Sequence, residues 1–176
     1  KQGVTDTSTV PHTAAEVVSR AARLLTACRA RGVLSVLVHV DPGPDGLLFP
    51  RPQADRPRAA MKITPEWSAF VSEMTPRTGD VVVTKHQPNA FYGTDLDIQL
   101  RRRGVRTLLL GGIATNVGVE ATARAAYERG YEQVFVEDVM AAREADLHGH
   151  SVQRIFPTLG RVRPLAQPRI LVLEPE

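Results

Sequence analysis

The chain has 176 residues, 43% of them hydrophobic, and this size and composition fit one globular domain with a full core. Its formal charge of +3 comes from interspersed basic and acidic residues, and the one dense basic run, at 101–103, contains no aromatic residue, which disfavours nucleic-acid binding. The single cysteine excludes an intrachain disulfide, and neither a membrane-length apolar stretch nor a signal-peptide pattern occurs. We therefore expect a soluble, cytoplasmic protein that acts on a small molecule rather than on nucleic acid or a membrane.

Helix and strand signals alternate along the chain. Capping residues, glycines and prolines bound the predicted helices, at 13–32, 64–74, 94–103, 117–129 and 144–156. Apolar, β-branched runs predict strands at 33–40, 80–85, 107–112 and 133–138. Cys28 lies on the apolar stripe of the first helix and is predicted to be a core residue. The alternation predicts an α/β fold, a doubly wound, Rossmann-like, mostly parallel sheet with helices on both faces.

In such a sheet, ligands bind beyond the carboxyl ends of the strands. The residues at the four predicted strand ends are His39 with Asp41, Lys85 with His86, the 111–118 turn, and Glu137 with Asp138. A lysine at the end of a buried strand is costly unless it is paired or functional. Lys85 is therefore either a catalytic or ligand-binding residue or one half of a structural salt bridge.

The turn GGIATNVG joins a predicted strand to a predicted helix. Backbone N–H groups at a helix N-terminus favour an anion or a developing oxyanion. The candidate anion-binding residues of this turn are Ala114, Thr115, Asn116 and Gly118. Glycine at 118 permits a ligand to approach the backbone closely, although a tight start of the helix also explains it.

Cofactor and metal sites are not predicted. The turn matches neither G-x-G-x-x-G nor a Walker loop, which disfavours a nucleotide cofactor. His148 and His150 lie two residues apart, a poor spacing for one helix face, and no cysteine joins them. Both histidines are predicted to be surface residues rather than zinc ligands.

Four motifs at fixed spacing occur within 81–142. They are a strand-end lysine, an A-F-x-G-T-x-L loop, a G-G-x-A-T-N-x-x-V-E turn and an E-D-x-x-x-A strand end. Together they resemble the isochorismatase-like hydrolases, also called the cysteine hydrolase superfamily, from about Pro11 to Val162. In that family an Asp, a Lys and a Cys form the site of amidases such as nicotinamidases, and a cis peptide helps to shape an oxyanion hole.

The resemblance assigns roles to individual residues. It places Lys85 at the position of the family lysine, the cis peptide at Ile113–Ala114, and Gly118 at the position of the nucleophile. It also makes Phe91 and Tyr92, on the loop after Lys85, candidates for the pocket wall or for subunit contacts. It implies a homodimer or homotetramer, and the chemistry that it implies requires no cofactor or metal.

Glycine at the nucleophile position sets the functional expectation. Without a thiolate there is no acyl-enzyme, which disfavours amidase activity. The position resembles the branch that contains isochorismatase itself, where the nucleophile is also absent and the substrate is a vinyl ether. We expect a hydrolase of a small anionic ring or vinyl ether; the alternative is a non-catalytic member that binds a small molecule or forms oligomers.

The family's catalytic Asp ends a first strand that this sequence does not contain. The expectation is a single domain over 1–176, with that strand missing before Lys1 and an atypical tail at 165–176. Three interpretations stay open. The acid belongs to a natural N-terminus that the sequence lacks; the protein is a non-catalytic relative; or Glu174, at the end of the apolar run at 169–174, takes the acid's place within the chain or between subunits.

Overall fold

The computed structural model describes residues 2–5, 8–55 and 63–166. The helices are α1 (Gln2–Thr5), α2 (Ala14–Ala30), α3 (Leu96–Arg102), α4 (Glu120–Glu128), α5 (Ala145–His150) and α6 (Phe156–Leu159). The strands are β1 (Val36–Val40), β2 (Val81–Lys85), β3 (Thr107–Ile113), β4 (Glu132–Ala141) and β5 (Arg161–Arg163). Single 3-10 turns occur at Pro44–Gly46 and Ser72–Met74, and π-helical turns at Thr115–Val119 and Ser151–Ile155. None of the described helices is long and apolar enough to cross a membrane.

All pairings between these strands are parallel. β1 pairs with β2, with Val40 opposite Lys85, while β4 lies between β3 and β5. The β3–β4 register shifts between Leu110 and Gly112. The predicted α/β class with parallel strands is confirmed, and the parallel arrangement brings the carboxyl ends of neighbouring strands to one edge of each sheet.

Helix α2 begins as the sequence predicts. The Glu16 carboxylate accepts the Thr13 N–H at 2.8 Å, and the Thr13 hydroxyl accepts the Glu16 N–H at 3.3 Å, which completes the capping box. Cys28 is 8% exposed, so its assignment to the core is confirmed. Near the end of the helix, the Arg29 guanidinium forms a two-pronged ion pair with Asp80, just before β2.

Two apolar clusters form the core. One packs β2 against α3, β3 and α4, and its buried members are Val81, Val83, Ala90, Phe91, Leu96, Leu100, Leu108, Ala125, Ala126 and Tyr131. The other is centred on Phe135 and Phe156, whose rings stack at 4.2 Å between centroids. Helix α4 contributes small residues to both clusters, which allows the helix to lie close to the strands.

Three predicted elements are corrected. The helix predicted at 64–74 is wrong, since only isolated turns form there. The Phe70 ring packs at a tilt against His39, 4.7 Å between centroids, and this tertiary contact accompanies the irregular backbone. The strand predicted to end at Asp138 continues to Ala141. The last predicted helix is interrupted by a π-helical turn next to Pro157, whose ring and missing N–H disturb the preceding turn.

Candidate functional site

Lys85 ends β2 on its buried face. Side chains alternate along a strand, so Lys85 continues the row of Val81 and Val83, which are core residues. Lys85 is 8% exposed, and its ammonium donates a hydrogen bond to the carbonyl oxygen of Pro88. Burial lowers the pKa of Lys85 to about 8, and none of the described carboxylates offsets this effect. The salt-bridge alternative therefore has no partner among the described residues.

Gly118 lies directly across from the Lys85 ammonium. A Cβ atom at residue 118 would stand 3.4 Å from Lys85 Nζ and 3.8 Å from the Pro88 carbonyl oxygen. A side chain at this position would therefore contact the buried cation. Because residue 118 is glycine, this space is open to a ligand group.

The 111–120 turn presents Gly118 to Lys85. The peptide bond between Ile113 and Ala114 is cis, and the Ala114 carbonyl accepts the N–H groups of Val117 and Val119 at 3.2 and 3.3 Å. A helix start leaves its first N–H groups without intrahelical acceptors, and they carry partial positive charge. The turn thus places amide donors beside a cation, an arrangement that suits an anion.

A threonine on α4 fixes the distance between the turn and the loop after β2. The Thr122 hydroxyl donates to the Gly118 carbonyl at 2.7 Å and accepts the Ala90 N–H at 3.1 Å. It is 8% exposed. The sequence analysis missed Thr122; its position four residues after Gly118, on the same helix face, is the signal that points to it.

The turn residues differ in their surroundings. Thr115 is fully buried, and its hydroxyl contacts His148 Nδ1 at 2.9 Å, so its side chain serves packing and only its backbone is available for an anion. Asn116 is half-buried. His148 is 5% exposed, so its assignment to the surface is wrong, because α5 packs this residue against the turn; His150 is exposed.

The two aromatic residues after β2 differ in exposure. Phe91 is 4% exposed, and its ring stacks on that of Tyr131 at 5.8 Å between centroids. The Arg129 guanidinium lies over the Phe91 ring, 4.9 Å from its centroid, so Phe91 is a core residue. Tyr92 is 69% exposed. The A-F-x-G-T motif therefore anchors the loop through Phe91, and Tyr92 faces solvent.

Polar groups beyond β1 form a neighbouring cleft. His86 donates to the Asp41 carbonyl at 2.7 Å, and the Asp41 N–H donates to the Lys85 carbonyl at 2.9 Å, which ties the two strand ends together. A cleft of about 320 Å³ opens between 41–45 and 63–68. His39 lies outside this group, with its ring nitrogens bonded to Ser68 and Thr84.

The structure places the two acids predicted at the end of the fourth strand inside that strand. Glu137 and Asp138 lie within β4 rather than at its end, and Asp138 accepts the Leu165 N–H at 2.6 Å. Glu174 lies outside the described residues. Groups of three or more His, Cys, Asp or Glu that could hold a metal ion do not occur among the described residues.

Known proteins share this architecture and sequence. The isochorismatase domain family matches residues 2–167. The structure of an isochorismatase family protein from Burkholderia thailandensis has a TM-score of 0.89 and 43% identity, covering 94% of this chain and 87% of that one. An uncharacterized isochorismatase family protein of Escherichia coli O157:H7, YecD, is 39% identical across 95% of this chain and 89% of its own. The ureidoacrylate amidohydrolase RutB of Methylorubrum extorquens is 36% identical across 69% of this chain and 56% of its own. The chain belongs to the isochorismatase family of hydrolases.

Proposed function

We propose that this protein hydrolyses a small anionic vinyl ether without a cysteine nucleophile. The observation that carries the proposal is the open space at Gly118, 3.4 Å from Lys85 Nζ measured from the position of a Cβ. The resemblance to amidases places their thiol at this residue, and the chain has one cysteine, Cys28, buried in α2. Burial raises the pKa of the Cys28 thiol, which makes it a poor nucleophile.

Lys85 supplies the positive charge for substrate binding. With a pKa of about 8, it is mostly protonated at neutral pH and can bind a substrate carboxylate. Its burial removes the competing water, which strengthens the attraction to an anion. Its bond to Pro88 keeps the ammonium in place before substrate arrives.

The 111–120 turn supplies neutral donors on the other side of the substrate. Backbone N–H groups at the start of the turn are positioned to stabilise negative charge on a carboxylate or an oxygen of the substrate. Gly118 leaves room for the ring or the vinyl group where an amidase has its nucleophile. Thr122 holds the turn and the Lys85 loop at a fixed separation.

The chemistry requires a proton and a water molecule rather than a nucleophilic side chain. A proton adds to the terminal vinyl carbon and gives an oxocarbenium ion. Water adds to the cationic carbon and loses a proton, and the resulting hemiketal breaks its carbon–oxygen bond to release a keto compound and an alcohol. None of the described carboxylates shifts the pKa of Lys85, so none of them is an evident proton donor beside it. We therefore assign proton delivery to a carboxyl group outside the described residues, such as Glu174.

The test is a paired assay on the purified protein. Release of pyruvate from isochorismate is followed beside ammonia release from a panel of amides and ureides that includes ureidoacrylate. The proposal predicts turnover of the vinyl ether and none of the amides. Cleavage of an amide by the wild-type chain would contradict it, and so would binding of isochorismate without product, which is the result that the non-catalytic alternative predicts.

A further inference from the structure

A second buried polar pair lies behind the 111–120 turn. Thr115 is 0% exposed, His148 is 5% exposed, and the Thr115 hydroxyl lies 2.9 Å from His148 Nδ1. The proposed chemistry uses neither side chain. Burying two polar side chains costs free energy unless they are bonded to each other, so their contact is the reason that both are tolerated.

The contact specifies the form of the imidazole. The Thr115 hydroxyl can donate to a bare Nδ1 or accept from an Nδ1–H. Because the hydroxyl has no other acceptor among the described residues, only the form in which it donates to Nδ1 satisfies its proton. The ring proton then resides on Nε2, which is buried and has no hydrogen-bond partner within the described residues. A second ring proton at Nδ1 would remove the acceptor for Thr115 and bury a charge, so the arrangement requires neutral His148.

A second contact, from the π-helical turn that follows α5, lies at the other end of the 111–120 turn. Ser151, fully buried and three residues after His148, donates to the Glu120 carboxylate at 2.7 Å. Thr115 is the first residue of the π-helical turn, and Glu120 is the first residue of α4. The segment that starts at α5 therefore contacts the 111–120 turn at two points, through His148 and through Ser151.

We propose that His148 is a positioning residue: in its neutral form it accepts the Thr115 hydroxyl and thereby fixes the turn whose amides bind the substrate anion. This proposal rests on the proposed function, because it assigns the turn the anion-binding role given there. His148 acts through Thr115 and does not touch the substrate. Its protonation reverses this hydrogen bond and leaves the Thr115 hydroxyl proton without an acceptor among the described residues, so the order of the turn decreases on acidification.

The charged groups around His148 are few among the described residues. Burial lowers the pKa of His148, and the positive charge of nearby His12 lowers it further. Glu120 faces the same segment through Ser151 and is paired with Arg124, and the Glu144 carbonyl accepts the His148 N–H. The transition is therefore expected on the acid side of the ordinary histidine range.

The experiment compares His148→Asn with His148→Leu. The Asn side chain can present an acceptor near the position of Nδ1 but does not titrate, whereas Leu removes the acceptor. Hydrogen–deuterium exchange of the peptide covering 111–120 is measured at about pH 7.5 and about pH 5, corrected for intrinsic rates, together with kcat and KM for isochorismate. His12→Asn controls for the titration of His12.

The expected result separates the two variants. His148→Leu exchanges the turn amides about tenfold faster and loses about tenfold in kcat/KM, while His148→Asn stays within about threefold of wild type. Acidification speeds exchange in wild type and in His12→Asn, but not in His148→Asn. Equal exchange in all variants at both pH values would overturn the proposal.

Two substitutions of Thr115 keep the proposal testable if the His148→Leu variant fails to fold. Thr115→Val has the same shape without the hydroxyl and is expected to loosen the turn as His148→Leu does, while Thr115→Ser retains the donor and the wild-type exchange. Indistinguishable Val and Ser variants would contradict the role of the hydroxyl. Because exchange needs no substrate, absence of vinyl-ether turnover would contradict the proposed function and leave the exchange result to decide the role of His148.

Discussion

Two cationic side chains of the described residues, the half-buried Arg29 and the buried Lys85, are held in contrasting ways. Arg29 forms a two-pronged ion pair with Asp80, whose side chain is 4% exposed. Lys85 is 8% exposed and has a backbone carbonyl, but no described carboxylate, as its partner. The pKa values respond accordingly: the hydrogen bond from Arg29 lowers the pKa of Asp80, whereas burial lowers that of Lys85 to about 8.

The two cations differ in whether their charge has a described carboxylate partner. In an ion pair such as Arg29–Asp80, each charge is neutralised by its partner, so little charge remains to attract a ligand. The shift of the Lys85 pKa from 10.5 to about 8 corresponds to a cost on the order of 3 kcal/mol for its charged form. Because such a group lowers stability, its position at the end of a strand supports the proposed role of Lys85 in ligand binding.

Replacing Lys85 gives the sharpest test of this contrast. Lys85→Met is expected to lower kcat/KM for the vinyl ether about 1,000-fold, because the cation that binds and orients the anion is lost. It is also expected to raise the free energy of unfolding at pH 7 by about 1–2 kcal/mol, since a buried charge is removed at the cost of one hydrogen bond. Steady-state kinetics and urea unfolding measure the two effects.

Arg102→Met is the matched control for Lys85→Met. It removes one positive charge from the exposed end of α3 and should change neither quantity measurably. The stability gain of Lys85→Met should shrink as pH rises from 8 toward 10.5, because the unfolded chain keeps its proton while the folded chain has lost it. A Lys85→Met variant with wild-type activity would remove the functional half of the comparison.

Filling the space beside Lys85 should affect activity without harming the fold. Gly118→Ala places a methyl group 3.4 Å from Lys85 Nζ, where the substrate is expected to lie. We expect kcat/KM to fall by roughly 10- to 200-fold, the usual effect of one carbon in a substrate pocket, while stability rises by up to about 1 kcal/mol. Gly149→Ala, in α5 with open space around it, should give a similar stability gain with unchanged kinetics. Equal kinetics for the two variants would show that no ligand occupies the space at residue 118.

Replacing Arg29 should lower stability and leave activity unchanged, the opposite of the effects expected for Lys85→Met. Arg29→Met is expected to lower the free energy of unfolding by about 2 kcal/mol, because it leaves the Asp80 carboxylate buried without its counter-charge, and to leave kcat/KM unchanged. The Asp80 pKa is lowered in the folded state, so the ion pair stabilises the fold above the ordinary Asp pKa. This stabilisation disappears as pH falls from that value through the lowered pKa of the folded state. Urea unfolding at neutral and acidic pH, with exposed Arg23→Met as the control, measures this. A stability loss that persists in acid would contradict the ion-pair explanation.

The pH–rate profile gives the smallest effect. Above about pH 8 the unpaired Lys85 loses its charge, so kcat/KM is expected to fall about tenfold for each further pH unit. The paired Arg29 keeps its charge over the same range. Measurement of initial rates between about pH 6 and about pH 9.5 tests this, with circular dichroism as a check on folding. A flat profile to pH 9.5 would mean that Lys85 is charged throughout and that its pKa is not lowered.

Local signals predicted much of the fold and of the site. The capping box at Thr13 and the strands follow from capping residues and periodicity, and Lys85 lies at the end of β2 as predicted. Its functional role stays a prediction. The 64–74 segment could not be predicted this way, since the interaction of Phe70 with His39 is a long-range contact. Phe91 was a candidate for the pocket wall or for a subunit contact, because an aromatic loop residue does not reveal which side of the loop it faces; the structure buries it in the core.

His148 shows the same limit at the site. Its spacing from His150 gave no information about α5 packing on the 111–120 turn. For Thr122, the four-residue spacing from Gly118 was the one sequence signal, and its contact with Ala90 follows only from the folded structure. The single-domain organisation over 1–176 and the assembly into dimers or tetramers stay predictions.

The measurement that tests the central claim most directly is an NMR titration of the lysine side chains. The sequence contains three lysines, at 1, 62 and 85, so the ¹³Cε signal of Lys85 can be assigned by its loss in Lys85→Met. The account predicts a midpoint near pH 8, well below the ordinary value of 10.5, which moves upward when a small carboxylate such as pyruvate binds. A midpoint at about 10.5, or one that pyruvate leaves unchanged, would contradict the claim that Lys85 is a buried, unpaired cation placed to bind the substrate anion.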